Sequence, residues 1–377
     1  MKLIITQSNL TLKGGAERVL LKIAQHYKAK IYTIEYDKAA TFSEFSELDV
    51  EVISKETLLR ILPYGRVAQG LSYGLGFYNM RIKDDYDVIN AQVAPSHWIR
   101  NNNDRVLWYC HTPLRDIYDL YGFRLSMKKA YQKPIYIIGA KAVRCIDKKV
   151  IKKIELIVAN SDNIKSRVIK YFGRADTQVL GGGVEYESYH EGGDEKYFLY
   201  PSRMSPNKRQ DYAIRAFEIF KRKIGGYRLL LVGPVSKDGF YYDYYKKVAE
   251  QAKRVGDVEI VDDVGDAEMK DLYADATAVL YTPMDEDYGL VPLEAMASYK
   301  PIISVNEGGP KKTIIDKETG FLVNSEDEMA MRMKEIAENP SLAKAMGKSG
   351  RIRVQKEYSW ERFFEQFDKH LSKVAKM

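Results

Sequence analysis

Thiols are scarce. Cys110 and Cys145 are the only cysteines among 377 residues, so neither a disulfide framework nor a zinc site made of thiolates alone can be built, and a reducing compartment is expected. Long apolar runs are missing as well. No uncharged apolar stretch approaches the roughly 18 residues that would span a bilayer, and the opening MKLIITQSNLTLKGG has an apolar run of three before a threonine, too short for the core of a secretory signal. The chain is therefore expected to stay in the cytoplasm. It has no low-complexity tract and no short-period repeat. Its 45% hydrophobic and 29% charged residues exclude a disordered or fibrous protein.

What is present is length, positive charge and alternation. A chain of 43.3 kDa exceeds one ordinary core, which favours two domains of about 150 to 200 residues. Lysines and arginines number 59 against 52 acidic residues, for a net charge of +7, which points to anionic partners without choosing among them. Strands are predicted at Lys2 to Thr6, Lys30 to Ile34, Val50 to Ile53, Asp87 to Asn90, Val106 to Cys110 and Leu156 to Ala159, with helical spacing such as Glu17 to Tyr27 between them. The glycine-rich, apolar-poor segment Gly181 to Glu195 interrupts the pattern as a linker. Strands then resume at Tyr197 to Tyr200, Arg228 to Val232, Val258 to Val261, Ala278 to Tyr281, Ile302 to Val305 and Phe321 to Val323. Strands alternating with helices imply parallel sheets, here two doubly wound α/β domains facing across a cleft.

Ligands of such sheets lie beyond the carboxyl ends of the strands, so the strand-to-helix turns are where chemistry is expected. Gly14-Gly15-Ala16-Glu17-Arg18 opens a helix, where bare amides attract an anion. Read alone, it is only a turn, and it is not the G-x-G-x-x-G of dinucleotide binders. His111, held by Pro113 at the end of a strand, is expected to face the cleft; local packing is the plainer alternative. Arg203 and Lys208 share a loop with Pro206, so both cations can converge on one diphosphate and stabilise a departing nucleotide; a solvated loop pair is the bland reading.

The run Asp285-Glu286-Asp287-Tyr288-Gly289-Leu290-Val291-Pro292-Leu293-Glu294 is the most telling. Pro292 suits the first turn of a helix, which would put Glu286 in the loop before it and Glu294 within its first turn, with Gly289 giving close backbone access between them. Carboxylates read vicinal hydroxyls, and the amides of a helix start read phosphate. Both ligand types meet in a sugar nucleotide. Asp285-Glu286-Asp287 also imitates an Asp-x-Asp clamp for magnesium or manganese. Arg203 and Lys208 already supply the charge such an ion would bring, so no metal is expected. The fifth turn, Asn306-Glu307-Gly308-Gly309-Pro310, repeats glycines before a helix-starting proline; Glu307 can approach the cleft and the glycines can admit a ligand.

Together these turns resemble the retaining glycosyltransferases of the GT-B fold, family 4. The resemblance spans nearly the whole chain: Gly14 to Arg18, His111, Ala159-Asn160-Ser161, Arg203 with Lys208, Glu286-x7-Glu294, and Gly308-Gly309-Pro310 leading to Thr319-Gly320-Phe321-Leu322-Val323. It implies a first domain at residues 1–182 on the acceptor side and a donor-binding domain at residues 183–359. Near Ser359-Trp360 such chains cross back, which places a last helix at residues 360–377 against the first domain. By the same resemblance His111, Arg203, Lys208 and Glu286 are catalytic. Gly14, Gly15, Arg203, Lys208, Glu286, Tyr288, Gly289, Leu290, Val291 and Glu294 bind the donor, with Glu294 on the ribose hydroxyls, Gly15 near the phosphates and His111 lining the sugar pocket. The chain departs from the pattern at Lys312, where relatives often carry an acid, at Tyr288, where phenylalanine is usual, and in a linker without prolines.

The stretch His111 to Asp119 is similar to that of mannosyltransferases using GDP-mannose for surface polysaccharides and glycolipids. UDP-glucose or UDP-N-acetylglucosamine stay open as donors, as does a sugar-nucleotide epimerase of the same fold. The implied acceptor is a glycan or a lipid-linked sugar. Arg124 to Lys153 holds ten lysines and arginines against one acid, Asp147, interleaved with Tyr131, Ile135, Tyr136, Ile137 and Ile138. Such a stretch is expected to rest on an anionic membrane, a solvated helix face being the alternative. No nucleic-acid recognition motif is present, so nucleic acid is not expected as a partner.

Overall fold

The computed structural model describes residues 1–53, 65–262 and 264–377, and they form two compact units: residues 1–182 with 364–377, and residues 183–363. The first unit carries strands β1 (Leu3–Leu10), β2 (Lys30–Tyr36), β3 (Val50–Val52), β4 (Val88–Ala91), β5 (Val106–Cys110), β6 (Leu156–Ala159) and β7 (Gln178–Val179). They pair in the order β3-β2-β1-β4-β5-β6-β7, every pair parallel. The second unit carries β8 (Tyr197–Pro201), β9 (Arg228–Val232), β10 (Val258–Val261), β11 (Ala278–Tyr281), β12 (Ile302–Val305) and β13 (Gly320–Val323). Their order, again all parallel, is β10-β9-β8-β11-β12-β13.

Parallel sheets are covered by helices on both faces, so their central strands read as continuous apolar runs. VLWYC, LIVA, AVLY and IISV are buried at every position. Ile4, Ile89, Val106, Trp108 and Ile157 pack in the first core, and Phe198, Leu229, Leu231, Leu280 and Ile303 in the second.

Both sheets reverse direction at one place. In the first, β2 and β3 extend to one side of β1 while β4 and its successors extend to the other; in the second, β9 and β10 lie to one side of β8 and β11 to the other. These reversals leave the crevice in which ligands of open α/β sheets sit. The loops that flank them therefore follow β1 and β4 in one unit, and β8 and β11 in the other.

The last helix, Trp360–Ala375, contributes to the first unit from residue 364 onward. Phe367, Leu371 and Val374 recur at helical spacing and are fully buried. Phe364 stacks on His26, ring centroids 3.7 Å apart, and Asp368 accepts the Tyr27 hydroxyl at 2.8 Å.

Candidate active site

In the second unit the loops after β8, β11 and β12 are stitched into one surface. Pro206–Lys208 forms a single 3-10 turn. The Lys208 carbonyl accepts the Tyr200 hydroxyl and, at 3.0 Å, the Thr282 hydroxyl, while Asn207 O accepts the Met284 amide at 2.8 Å. Arg209 stands in the left-handed region at φ 54°. Its guanidinium donates to Thr282 O at 2.6 Å and pairs with Glu307 at 2.9 Å. Lys208 Nζ donates to Glu286 Oε2 at 2.5 Å, so the cation and carboxylate singled out in the sequence are in direct contact at the β8/β11 reversal. Their side chains are 17% and 20% exposed, within reach of solvent and of a ligand.

Arg203 shares that loop; it is exposed, and its carbonyl accepts Gln210 Nε2 at 2.9 Å. Lys208, the other cation of the loop, is paired with Glu286. Glu294 is the fifth residue of the helix Leu290–Ala297, which moves it from the first turn to the second, and Pro292 is the third. The helix begins two residues before the proline because Gly289 caps it. Glu294 Oε2 accepts the hydroxyl of Tyr273 at 2.7 Å. Tyr288, Leu290 and Val291 are half-buried against the core of this unit.

Gly308 and Gly309 have a different task from admitting a ligand. Gly308 has φ +60°, and a side chain on it would begin 2.4 Å from Glu286 O; one on Gly309 would begin 2.3 Å from Tyr288 O. The Gly309 amide donates to Glu286 O at 2.8 Å. The glycines let the loop after β12 lie directly on the backbone of residues 285–288 and so fix where Glu286 stands.

Tyr273, Tyr281 and Arg209 are additions that sequence reasoning misses. Tyr281 is buried, with Lys208 Nζ 5.8 Å from its ring centre. Burial and the nearby Glu286 charge hold its phenol well above the ordinary range, so it stays a hydrogen-bond donor. Tyr273 is held up in the same way by burial and by Glu294. In the sequence both look like ordinary core aromatics. Among the described residues no three His, Cys, Asp or Glu side chains converge as metal ligands.

In the first unit Gly14 caps the helix Gly15–Tyr27, and a side chain on it would begin 2.6 Å from the Glu17 carboxylate. That side of the turn is held by an acid, where the sequence pattern suggests an approaching phosphate. His111 follows β5 and is 8% exposed. Its Nε2 lies 2.7 Å from Gln92 Oε1 and its ring edge-on to Tyr109 at 5.0 Å. Burial lowers the imidazole pKa to about 3, so the ring is neutral at physiological pH.

Within Arg124 to Lys153 the one acid faces inward. Asp147 is buried and accepts His97 Nε2 at 2.9 Å, Trp98 Nε1 at 2.5 Å and the Tyr118 hydroxyl at 3.0 Å. Tyr136 is also buried, with its hydroxyl on Asp116 O. Outside remain Lys129, Lys133, Lys141, Lys148, Lys149, Lys152 and Lys153, beside Phe123 at 54%, Met127 at 47%, Tyr131 at 66%, Ile135 at 57% and Ile138 at 68% exposure. No helix among the described residues is long and apolar enough to cross a membrane.

Residues 13–188 match the family described as Glycosyltransferase Family 4, and residues 184–353 match Glycosyl transferases group 1. Over 401 residues the chain is 28% identical to the mouse alpha-1,3/1,6-mannosyltransferase ALG2, covering 96% of this chain and 94% of the relative. The human protein of that name is also 28% identical, with 96% and 93% covered. Among solved structures, Anabaena HepE in complex with UDP-glucose superposes with a TM-score of 0.76 at 19% identity over 99% of each chain. Sucrose-phosphate synthase from Thermosynechococcus elongatus gives 0.77 at 17% identity over 99% of each. These two likenesses establish the GT-B fold.

Proposed function

We propose that this chain, which belongs to the glycosyltransferases through its family 4 half and its group 1 half, moves mannose from a nucleotide diphosphate donor, GDP-mannose by preference, to a hydroxyl of a glycan or lipid-linked acceptor. The observation that carries the reading is the Lys208–Glu286 contact at the β8/β11 reversal, a cation for the diphosphate touching a carboxylate for the sugar. Mannose is supported by the relatives named as mannosyltransferases, whose similarity runs the length of the chain.

In this reading Arg203 and Lys208 take the diphosphate. Negative charge grows on the departing nucleotide as the sugar gains oxocarbenium character, so cations there favour the transition state over the ground state. Drawn to the phosphates, Lys208 releases Glu286, whose oxygens then accept hydroxyls of the sugar. Glu294, held by Tyr273, reads the ribose. Attack by the acceptor hydroxyl on the face the nucleotide leaves retains the anomeric configuration. Neither carboxylate serves as a covalent nucleophile, and no metal takes part.

A thermal-shift panel of GDP, GDP-mannose, UDP, UDP-glucose and UDP-N-acetylglucosamine tests the donor. GDP and GDP-mannose at a hundred times their dissociation constants are expected to stabilise the fold by about 2.7 kcal/mol. Stabilisation by the uridine compounds alone overturns the preference, and no stabilisation by any of the five overturns the donor site. Transfer in the presence of EDTA is expected to match transfer without it; a loss restored by magnesium returns the metal clamp.

The acceptor side is proposed to rest on an anionic membrane. With Asp147 turned inward, the outer surface of Arg124 to Lys153 offers lysines beside four exposed apolar side chains, with Phe123 adjoining them. Each cation near such a surface contributes about 1 kcal/mol, and the apolar groups add burial in the interface. The chain is expected to sediment with phosphatidylglycerol vesicles and not with phosphatidylcholine vesicles, and Ile135→Glu with Ile138→Glu to abolish the difference. Equal recovery with both vesicle types would remove the membrane from the reading.

A further inference from the structure

A buried hydrogen-bond chain behind His111 determines where that ring carries its proton. Asn90 and Gln92 are fully buried in and just after β4, and His111 follows β5. The Leu107 carbonyl can only accept a hydrogen bond. Asn90 lies against it at 3.3 Å, so the Asn90 amide nitrogen must face it, which turns Asn90 Oδ1 the other way. That oxygen meets the Gln92 side chain and needs a donor, so Gln92 presents its nitrogen there and its oxygen to His111. Gln92 Oε1 in turn needs a donor from Nε2 at 2.7 Å. Each step follows from which atoms own hydrogens.

Resting on the proposed transfer reaction, we infer that Asn90 and Gln92 are positioning residues that lock His111 as the neutral Nε2–H tautomer, leaving the Nδ1 lone pair to accept a hydrogen bond from a substrate hydroxyl. The backbone shares in the lock: Trp108 Nε1 donates to Gln92 O at 3.0 Å, which ties the residue after β4 to β5. Burial acts in the same direction by disfavouring the imidazolium, which has no lone pair to offer. A neutral acceptor suits a hydroxyl of an activated sugar or of its acceptor, which arrives carrying its own proton. A phosphate oxygen, which has none to give, is turned away by the same atom.

The test is NMR of protein labelled with 15N-histidine, the His111 signals being assigned by their loss in His111→Gln. A protonated Nε2 and an unprotonated Nδ1, unchanged between about pH 5 and about pH 8, are expected. A protonated Nδ1 with bare Nε2, or titration within that range, overturns the inference. Gln92→Glu places a carboxylate beside Nε2 and is expected to bring the pKa of His111 back toward about 6.5. Its kcat would then fall below that pH where the parent's stays level, with KM for the donor little changed; a level kcat beside a titrating ring overturns the substrate role. Gln92→Met, which removes the acceptor at similar volume, is expected to give mixed tautomers and about tenfold lower kcat; unchanged tautomer and rate overturn the lock. The failure of the wider reading looks different. There the tautomer is as expected, yet the chain transfers no sugar from any nucleotide donor.

Discussion

Lys208→Ala is expected to lower kcat/KM for the nucleotide-sugar donor by at least about a hundredfold, about 2.7 kcal/mol of transition-state stabilisation. Two effects combine in that number. The variant loses the cation proposed to face the leaving diphosphate, and it leaves the Glu286 carboxylate, 2.5 Å away in the parent, as a negative charge beside the phosphates. The fold should tolerate the change. Both side chains still reach solvent, at 17% and 20% exposure, and the loop is held separately by Tyr200, Thr282 and Arg209. Adding Glu286→Gln to Lys208→Ala separates the two effects: recovery of donor binding without recovery of kcat assigns the repulsion to Glu286 and the chemistry to Lys208. Initial rates and a melting curve suffice, and a Lys208→Ala variant with parental rates removes Lys208 from the reaction.

Glu294→Ala is expected to cost a similar factor, about a hundredfold in kcat/KM, mostly through donor affinity. The carboxylate accepts from Tyr273 at 2.7 Å, so truncation also strands a buried hydroxyl, which costs about 1 to 3 kcal/mol of stability. Glu294→Gln keeps an acceptor for Tyr273 and gives up the charge. It should melt close to the parent while KM for the donor still rises by about tenfold, as expected for weaker hydrogen bonds to the ribose hydroxyls. If Glu294→Gln and Glu294→Ala bind GDP as the parent does, Glu294 has only a structural part.

Much of this architecture was legible because buried parallel strands are written in one alphabet. VLWYC, LIVA, AVLY and IISV stand out as β-rich apolar runs between polar turns, and Val106–Cys110, Leu156–Ala159, Ala278–Tyr281 and Ile302–Val305 begin and end where those runs do. Polarity hid the remainder of β1. It runs on to Leu10 through Gln7, Ser8 and Asn9, beyond the predicted end at Thr6, because their backbones pair with β2 as far as Tyr36 and Ser8 finds Val93 O. The two residues of β7 are too few to show a period.

The site was legible as residue types at strand ends and illegible as contacts. Nothing local links Lys208 to Glu286 across 78 positions, or Tyr273 to Glu294. Gly308 and Gly309 illustrate the limit from the other side. A sequence reports that a side chain is missing, and only the packed backbone reports whether that space belongs to a ligand or, as here, to the neighbouring loop.

The helix Trp360–Ala375 ties together parts of the chain that lie far apart in sequence. Because residues 364–377 complete the unit that contains residues 1–182, the ribosome makes the parts of one unit with all of residues 183–363 in between. At about 5 to 20 residues per second, roughly ten to forty seconds of translation separate them. Through that interval His26, Tyr27 and Tyr109 lack the aromatic partners they will find in Phe364 and Phe367. The nascent chain thus carries an uncovered sticky surface until residues 364–377 emerge to close it.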